Sequence, residues 1–132
     1  ISQISSSKSP NKRHTYSMHL NGNWYQLKAK DKILSNDLIE NLDASILQNH
    51  LLNPILGIDD PRTNERIDFV GGIRGLEELE KRCDLDAKVA FALYPVSIDD
   101  LLAVADAGKT MPPKSTWFEP KLRSGLVVRL LD

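Results

Sequence analysis

A chain with one cysteine cannot close an internal disulfide, and Cys83 stands alone here. That excludes the small disulfide-stapled secreted scaffolds and fits a reducing compartment. Cys83 follows LEELEKR at helical spacing and reads as a packed structural thiol. Long apolar runs are also missing. Nothing approaches the roughly 20 consecutive apolar residues that a membrane helix requires, so a cytoplasmic protein with no membrane partner is expected. Metal-ligand spacing is lacking too. His14 and His19 are separated by an odd number and fall on opposite faces of a strand, His50 is isolated, and no Cys/His pattern suits zinc. An initiating Met and a signal peptide are both absent at the start, where residue 1 is Ile. The expectation is a domain excised from a longer protein, with the missing domain as its partner.

What is present suits one folded domain. The chain has 132 residues, of which 41% are hydrophobic, enough for a single core. Net charge is only −1, but its distribution is uneven. Residues 1–30 carry +5, residues 31–108 carry −9 and residues 109–132 carry +3. Basic ends around an acidic middle would make a positive face if the ends meet in space, suited to a phosphate, a nucleic acid or the missing domain.

Residues 1–13, ISQISSSKSPNKR, are polar and aperiodic and read as a flexible linker or tail. Residues 14–132 read as one α+β domain. HTYSMHL and WYQLKAK alternate in polarity around Asn21-Gly22-Asn23, which predicts a β-hairpin. A short helix is expected over Ser35 to Leu42. Asp43 would then cap a longer one, with Leu47, Leu51 and Ile55 on one stripe, Pro54 loosening its last turn and Gly57 ending it. ERIDFVGG reads as a strand and LEELEKRC as a helix with Leu76, Leu79 and Cys83 inward. KVAFALYP is apolar at every position from Val89 to Tyr94, which predicts a strand within a sheet covered on both faces. Ser97 and Asp100 form a capping box for IDDLLAVADAG, whose apolar face is Ile98, Leu101, Leu102 and Ala105, with Gly108 past its end. GLVVRLL, residues 125–131, reads as a last strand. The predicted architecture is a single mixed sheet of about five strands with three or four packed helices.

The segment MPPKSTWFEPK, Met111 to Lys121, carries the best candidate site. It approaches the phosphate-binding P-loop pattern, since Gly108, Lys114 and Ser115 have the right spacing. Pro113 replaces the second glycine, however, and both Pro112 and Pro113 lack the N–H that such a loop uses to wrap phosphate. A helix also precedes the segment where a strand is required. A different anion site fits better. Lys114 supplies charge, Ser115 and Thr116 supply hydroxyls, and the N–H groups of Lys114 to Thr116 are expected to be free donors. Flanking prolines restrict the loop before any ligand arrives, which lowers the ordering cost of binding. Lys121 would neutralise remaining charge. Asp106 adjoins the loop and is the acid to consider as base or magnesium ligand, magnesium entering only if the chemistry is phosphoryl transfer.

Two segments, LDASILQNHLLNPILGI and AFALYPVSIDDLLAVADAGKTMPPKSTWFEPKLRSGLVV, resemble the C-terminal part of a prokaryotic family known as domain of unknown function 1015. The likeness runs from about Tyr16 to the end. Lys114, Ser115, Thr116, Pro120 and Lys121 match the family pattern as they stand. The pattern has Gln where this chain has Pro113, and Tyr where it has Trp117 and Glu119, which weakens a direct polar role at those positions. The resemblance implies a longer parent protein. Some members carry a label tying them to chromosome partitioning or helix–turn–helix DNA binding, but no tight helix–turn–helix is visible here. It offers no established catalytic residues.

The leading expectation is a domain of a larger cytoplasmic protein that binds an anionic or phosphorylated small molecule at residues 114–121, within an enzyme of phosphotransferase type. One alternative is a nucleic-acid module built on the basic ends and on Tyr16, Trp24 and Tyr25. Another is a structural docking or dimerisation domain.

Overall fold

The computed structural model describes residues 1–116. Four strands form one antiparallel sheet: β1 (Ser2–Ile4), β2 (Thr15–Leu20), β3 (Asn23–Lys28) and β4 (Val89–Leu93), in the order β1-β3-β2-β4. Three α-helices accompany it: α1 (Asp43–Leu47), α2 (Gly75–Leu85) and α3 (Ile98–Asp106). The class is α+β. The predicted mixed sheet is corrected, because every pairing among the described residues is antiparallel. The strand expected over residues 125–131 lies outside the described residues.

The hairpin forms as its turn residues dictate. Asn21 and Gly22 both take positive φ, at 49° and 72°, and Leu20 faces Asn23 across the two-residue loop. That backbone twist matches the twist of the strands it joins. Residues 2–4, read from sequence as part of a linker, instead add a strand to the outer edge of β3. A polar serine-rich segment has no hydrophobic period to announce a strand, so only the available edge of β3 reveals it.

The central strand β2 is covered on both faces. Tyr16 and Met18 point towards a core made with Leu27, Ala29, Ile46, Leu47, Leu52 and Ile58, with Phe91 and Leu93 of β4 against it. Thr15, Ser17 and His19 point to the opposite face and are buried there.

Around Asp43 the helix departs from its sequence pattern. After α1 it widens into a π turn over Gln48–Leu52, closed by Asn53 N–H on the Gln48 carbonyl at 3.0 Å. The wide turn inserts the equivalent of one residue and rotates the segment after it about the helix axis. Ile55, expected on the stripe of Leu47 and Leu51, is therefore 70% exposed, and Leu52 is buried instead. Gly57, at φ 65°, ends the segment as expected by donating to the Asn53 carbonyl.

Two other elements do not form. Residues 35–42 make turns, not a helix: the Asp37 side chain accepts the N–H groups of Ile39 and Glu40 as a helix cap does, but only one turn follows, closed by the Asn41 N–H on the Asp37 carbonyl at 3.1 Å, before Leu42 becomes extended. ERIDFVGG is irregular, with the Asp68 carboxylate on the N–H of Phe69 and paired to Arg82 at 2.6 Å. The Ser97 half of the expected capping box of α3 is present: the Asp100 N–H donates to Ser97 Oγ at 3.0 Å, while the Asp100 carboxylate takes the Ser97 hydroxyl and not its backbone N–H, and Gly108 takes φ 64° past the end. The apolar face assigned to this helix is corrected, since Ile98 and Leu102 are exposed and Val104 is its buried residue. No helix among the described residues is long and apolar enough to cross a membrane.

Candidate functional site

Helix α3 delivers the chain to the proline-rich loop. Gly108 and Lys109 donate to the Ala105 and Val104 carbonyls and stop the helix. The loop then makes a tight turn. Ser115 donates its N–H to the Pro112 carbonyl at 3.3 Å and its hydroxyl to the same oxygen at 2.6 Å. Pro113 fixes the first central φ of that turn, and Lys114 takes φ 58° at the second, the left-handed position of a type II turn. Lys114 and Thr116 are exposed and Ser115 is half-buried. The expectation that the N–H groups of residues 114–116 are all free is thereby corrected, because the Ser115 N–H closes the turn. Ser115 builds the loop and Lys114 is displayed by it. Lys121 lies outside the described residues. Asp106 is the last residue of α3, exposed, with no hydrogen bond or ion pair among the described residues.

Lys109 connects the root of this loop to a second feature. Its ammonium pairs with the Asp37 carboxylate, 72 positions earlier. Asp37 lines an open polar cleft of about 240 Å³ with Arg13, Ser35, Asn36, Leu38, Asn41 and Asp100. Lys109 first, and then the N–H groups of Glu40 and Ile39, hold the Asp37 carboxyl down at about 2. On the opposite wall Arg13 Nη1 meets Asp100 Oδ1 at 2.9 Å. Asp100 also takes the Ser97 hydroxyl at 2.7 Å, so the helix cap and the cleft wall share one carboxylate.

Behind that ion pair sits Asp43. A cavity of about 10 Å³ separates Asp43 from Tyr94, Pro95 and Val96, and Arg13 and Asp100 border both this cavity and the cleft. Asp43 caps no helix with its side chain, contrary to the sequence expectation. It accepts the N–H of His14 at 2.8 Å instead. His14 takes φ 62°, an uncommon conformation for a residue with a side chain. It is held there by that bond, by Ala29 N–H on its carbonyl at 2.9 Å and by a 3.3 Å contact from its ring to the Asn41 carbonyl. Burial pushes the Asp43 carboxyl up, partly offset by the His14 N–H and the nearby His14 and Arg13 charges. The Tyr16 hydroxyl donates to the Asp43 carbonyl at 3.2 Å, and burial, then Asp43, pushes that phenol above its ordinary range.

Arg13, Asp37, Asn41 and Asp43 carry no sequence signal that marks them as site residues, and the signal at Asp100 is only that of a helix cap. Their partners lie 87 and 72 residues apart in the two cleft-wall ion pairs, beyond any local spacing rule. The aromatics proposed for nucleic-acid stacking do not form an exposed platform. Tyr16 and Trp24 are both buried, and they sit on opposite faces of the sheet. Among the described residues no group of three or more His, Cys, Asp or Glu side chains is arranged to hold a metal ion. No protein-family model, curated protein or solved structure matches this chain.

Proposed function

We propose that this chain is the ligand-binding domain of a larger cytoplasmic protein, and that it takes a small anionic molecule at the Lys114 loop. Lys114 holds the anion, Thr116 donates a hydrogen bond, and Ser115 acts mainly by fixing the turn, its hydroxyl being committed to Pro112. Lys121 completes the charge in this reading. The observation that carries it is the Lys109–Asp37 pair, which ties the root of a stiffened, lysine-bearing loop to the rim of a polar cleft. The resemblance read from the sequence marks the same loop, through Lys114, Ser115, Thr116 and Lys121, although no family model matches the chain. Phosphotransferase chemistry is the enzymatic form of this proposal, with magnesium and Asp106 entering only there.

A thermal-shift panel of pyrophosphate, phosphorylated metabolites, nucleotides and short nucleic acids, with and without magnesium, tests it. A ligand at a hundred times its dissociation constant stabilises by about 2.7 kcal/mol, readily seen as a higher Tm. The expected result is a small-anion shift that Lys114→Ala abolishes and Lys109→Ala weakens. A shift left intact by both substitutions would remove the loop from consideration, and a shift given only by nucleic acid would replace the proposal with the nucleic-acid reading.

A further inference from the structure

The second face of the sheet holds a titratable group that the proposed ligand site does not use. His19 is 4% exposed, and its Nδ1 is buried without a hydrogen-bond partner among the described residues. Across the hairpin it faces Trp24, with ring centroids 5.0 Å apart and planes tilted by 51°. The Trp24 indole N–H donates to Glu80 Oε1 of α2 at 2.7 Å. A carboxylate therefore sits one indole ring away from an unpaired imidazole nitrogen.

Helix α2 is poorly anchored otherwise. No residue of it is fully buried, and Leu76, Leu79 and Cys83 on its inner side are half-buried. The Glu80–Trp24 bond is the direct hydrogen bond between α2 and the sheet among the described residues. Groups on this face come from α2, the N-terminal segment and the neighbouring strands. From α2 comes Glu80, on the Trp24 indole, and one turn on lies Cys83, whose thiol is pushed up by burial first and then by Asp84 and Asp86. From the N-terminal segment comes Lys8, whose carbonyl takes the hydroxyl of Ser17, two residues before His19. From β3 comes the neutral Trp24, and from β4 the cross-strand partner is Ala90. Glu80 is thus the one carboxylate in this set able to answer a positive charge on the ring.

We propose that His19 and Glu80 form a proton-operated latch for α2. With His19 neutral, Glu80 is held by the Trp24 indole. A proton on the imidazole makes both ring nitrogens donors. The Glu80 carboxylate then turns from the indole to the imidazolium, and α2 re-seats on the sheet. The device uses none of the residues assigned to the anion site.

The test follows the Trp24 indole N–H by heteronuclear NMR from about pH 8 to about pH 5, the span in which histidine switches operate. Trp117→Phe assigns the signal. The expected result is one transition of the Trp24 indole in the native chain that vanishes in His19→Gln. Glu80→Gln, which keeps an oxygen acceptor for the indole but has no charge to move, abolishes it as well. A Trp24 signal that stays still over this range overturns the latch, as does a transition that survives in Glu80→Gln. Should His19→Gln fail to fold, the Glu80→Gln comparison decides alone.

Discussion

The two faces of β2 are sealed by different physics. On one side Tyr16 and Met18 meet Leu27, Ile46, Leu47, Leu52 and Ile58, an apolar cluster held by area removed from water. On the other, Ser17 and Thr15 donate their hydroxyls to the Lys8 and Lys12 carbonyls, Pro10 packs down between them, and Trp24 reaches Glu80. One face is indifferent to direction and sensitive to volume. The other carries directional bonds, each made by a residue whose loss strands a partner. The difference also separates the tasks. The apolar face supports Asp43 and the cleft, while the polar face ties down the N-terminal segment and α2.

The sharpest way to break this contrast is to make the same kind of deletion on each side. Ile46 is 3% exposed at the centre of the apolar cluster. Ile46→Ala is expected to cost about 2–5 kcal/mol, the range for large-to-small changes in a close-packed core. Urea unfolding gives the value. A loss below about 1 kcal/mol would mean that this face is loosely packed and that area is not what holds it.

Ser17→Ala removes far less volume on the polar face. It leaves the Lys8 carbonyl without its donor and is expected to cost about 1–3 kcal/mol. The loss has a local signature: amide exchange should accelerate in residues 8–12 and in β1, while the Ile46 side is unchanged. Uniform acceleration through the whole sheet would show that the two faces do not act separately.

The alternation of the hairpin is legible in the sequence, and so are the Ser97 cap of α3 and the terminator Gly57. Each depends on neighbours a few residues apart. The features that are not legible depend on distant partners. Residues 2–4 become a strand because the edge of β3 is there to receive them. Residues 35–42 read as a short helix, yet the turn that Asp37 caps stops after one round, and Lys109 arrives from 72 positions away to hold that carboxylate. Ile55 leaves its expected stripe because a π turn is not written in hydrophobic period. The loop at Lys114 is marked by its prolines and lysine, but the cleft to which Lys109 ties its root is not, since Arg13 carries no signal and Asp100 only that of a helix cap until the fold brings them within 2.9 Å.

The smallest effect is expected at Asp43, and it has the opposite sign. Here the apolar side of the sheet carries a buried carboxylate at its rim, and desolvation outweighs the help it receives from the His14 N–H and from Arg13. Its folded-state pKa is raised, so the native state binds the proton more tightly than the unfolded chain does. The penalty is absent below the unfolded carboxyl value of about 3.9 and is complete once pH has risen past the folded value. Asp43→Asn keeps an oxygen for the His14 N–H and removes the charge. It is expected to leave stability nearly unchanged at about pH 4 and to raise it at about pH 7. Urea unfolding at the two pH values measures the difference. A variant less stable at neutral pH would show that the Arg13 charge more than repays the burial of Asp43, and the apolar face would then depend on an ion pair as the polar face depends on its hydrogen bonds.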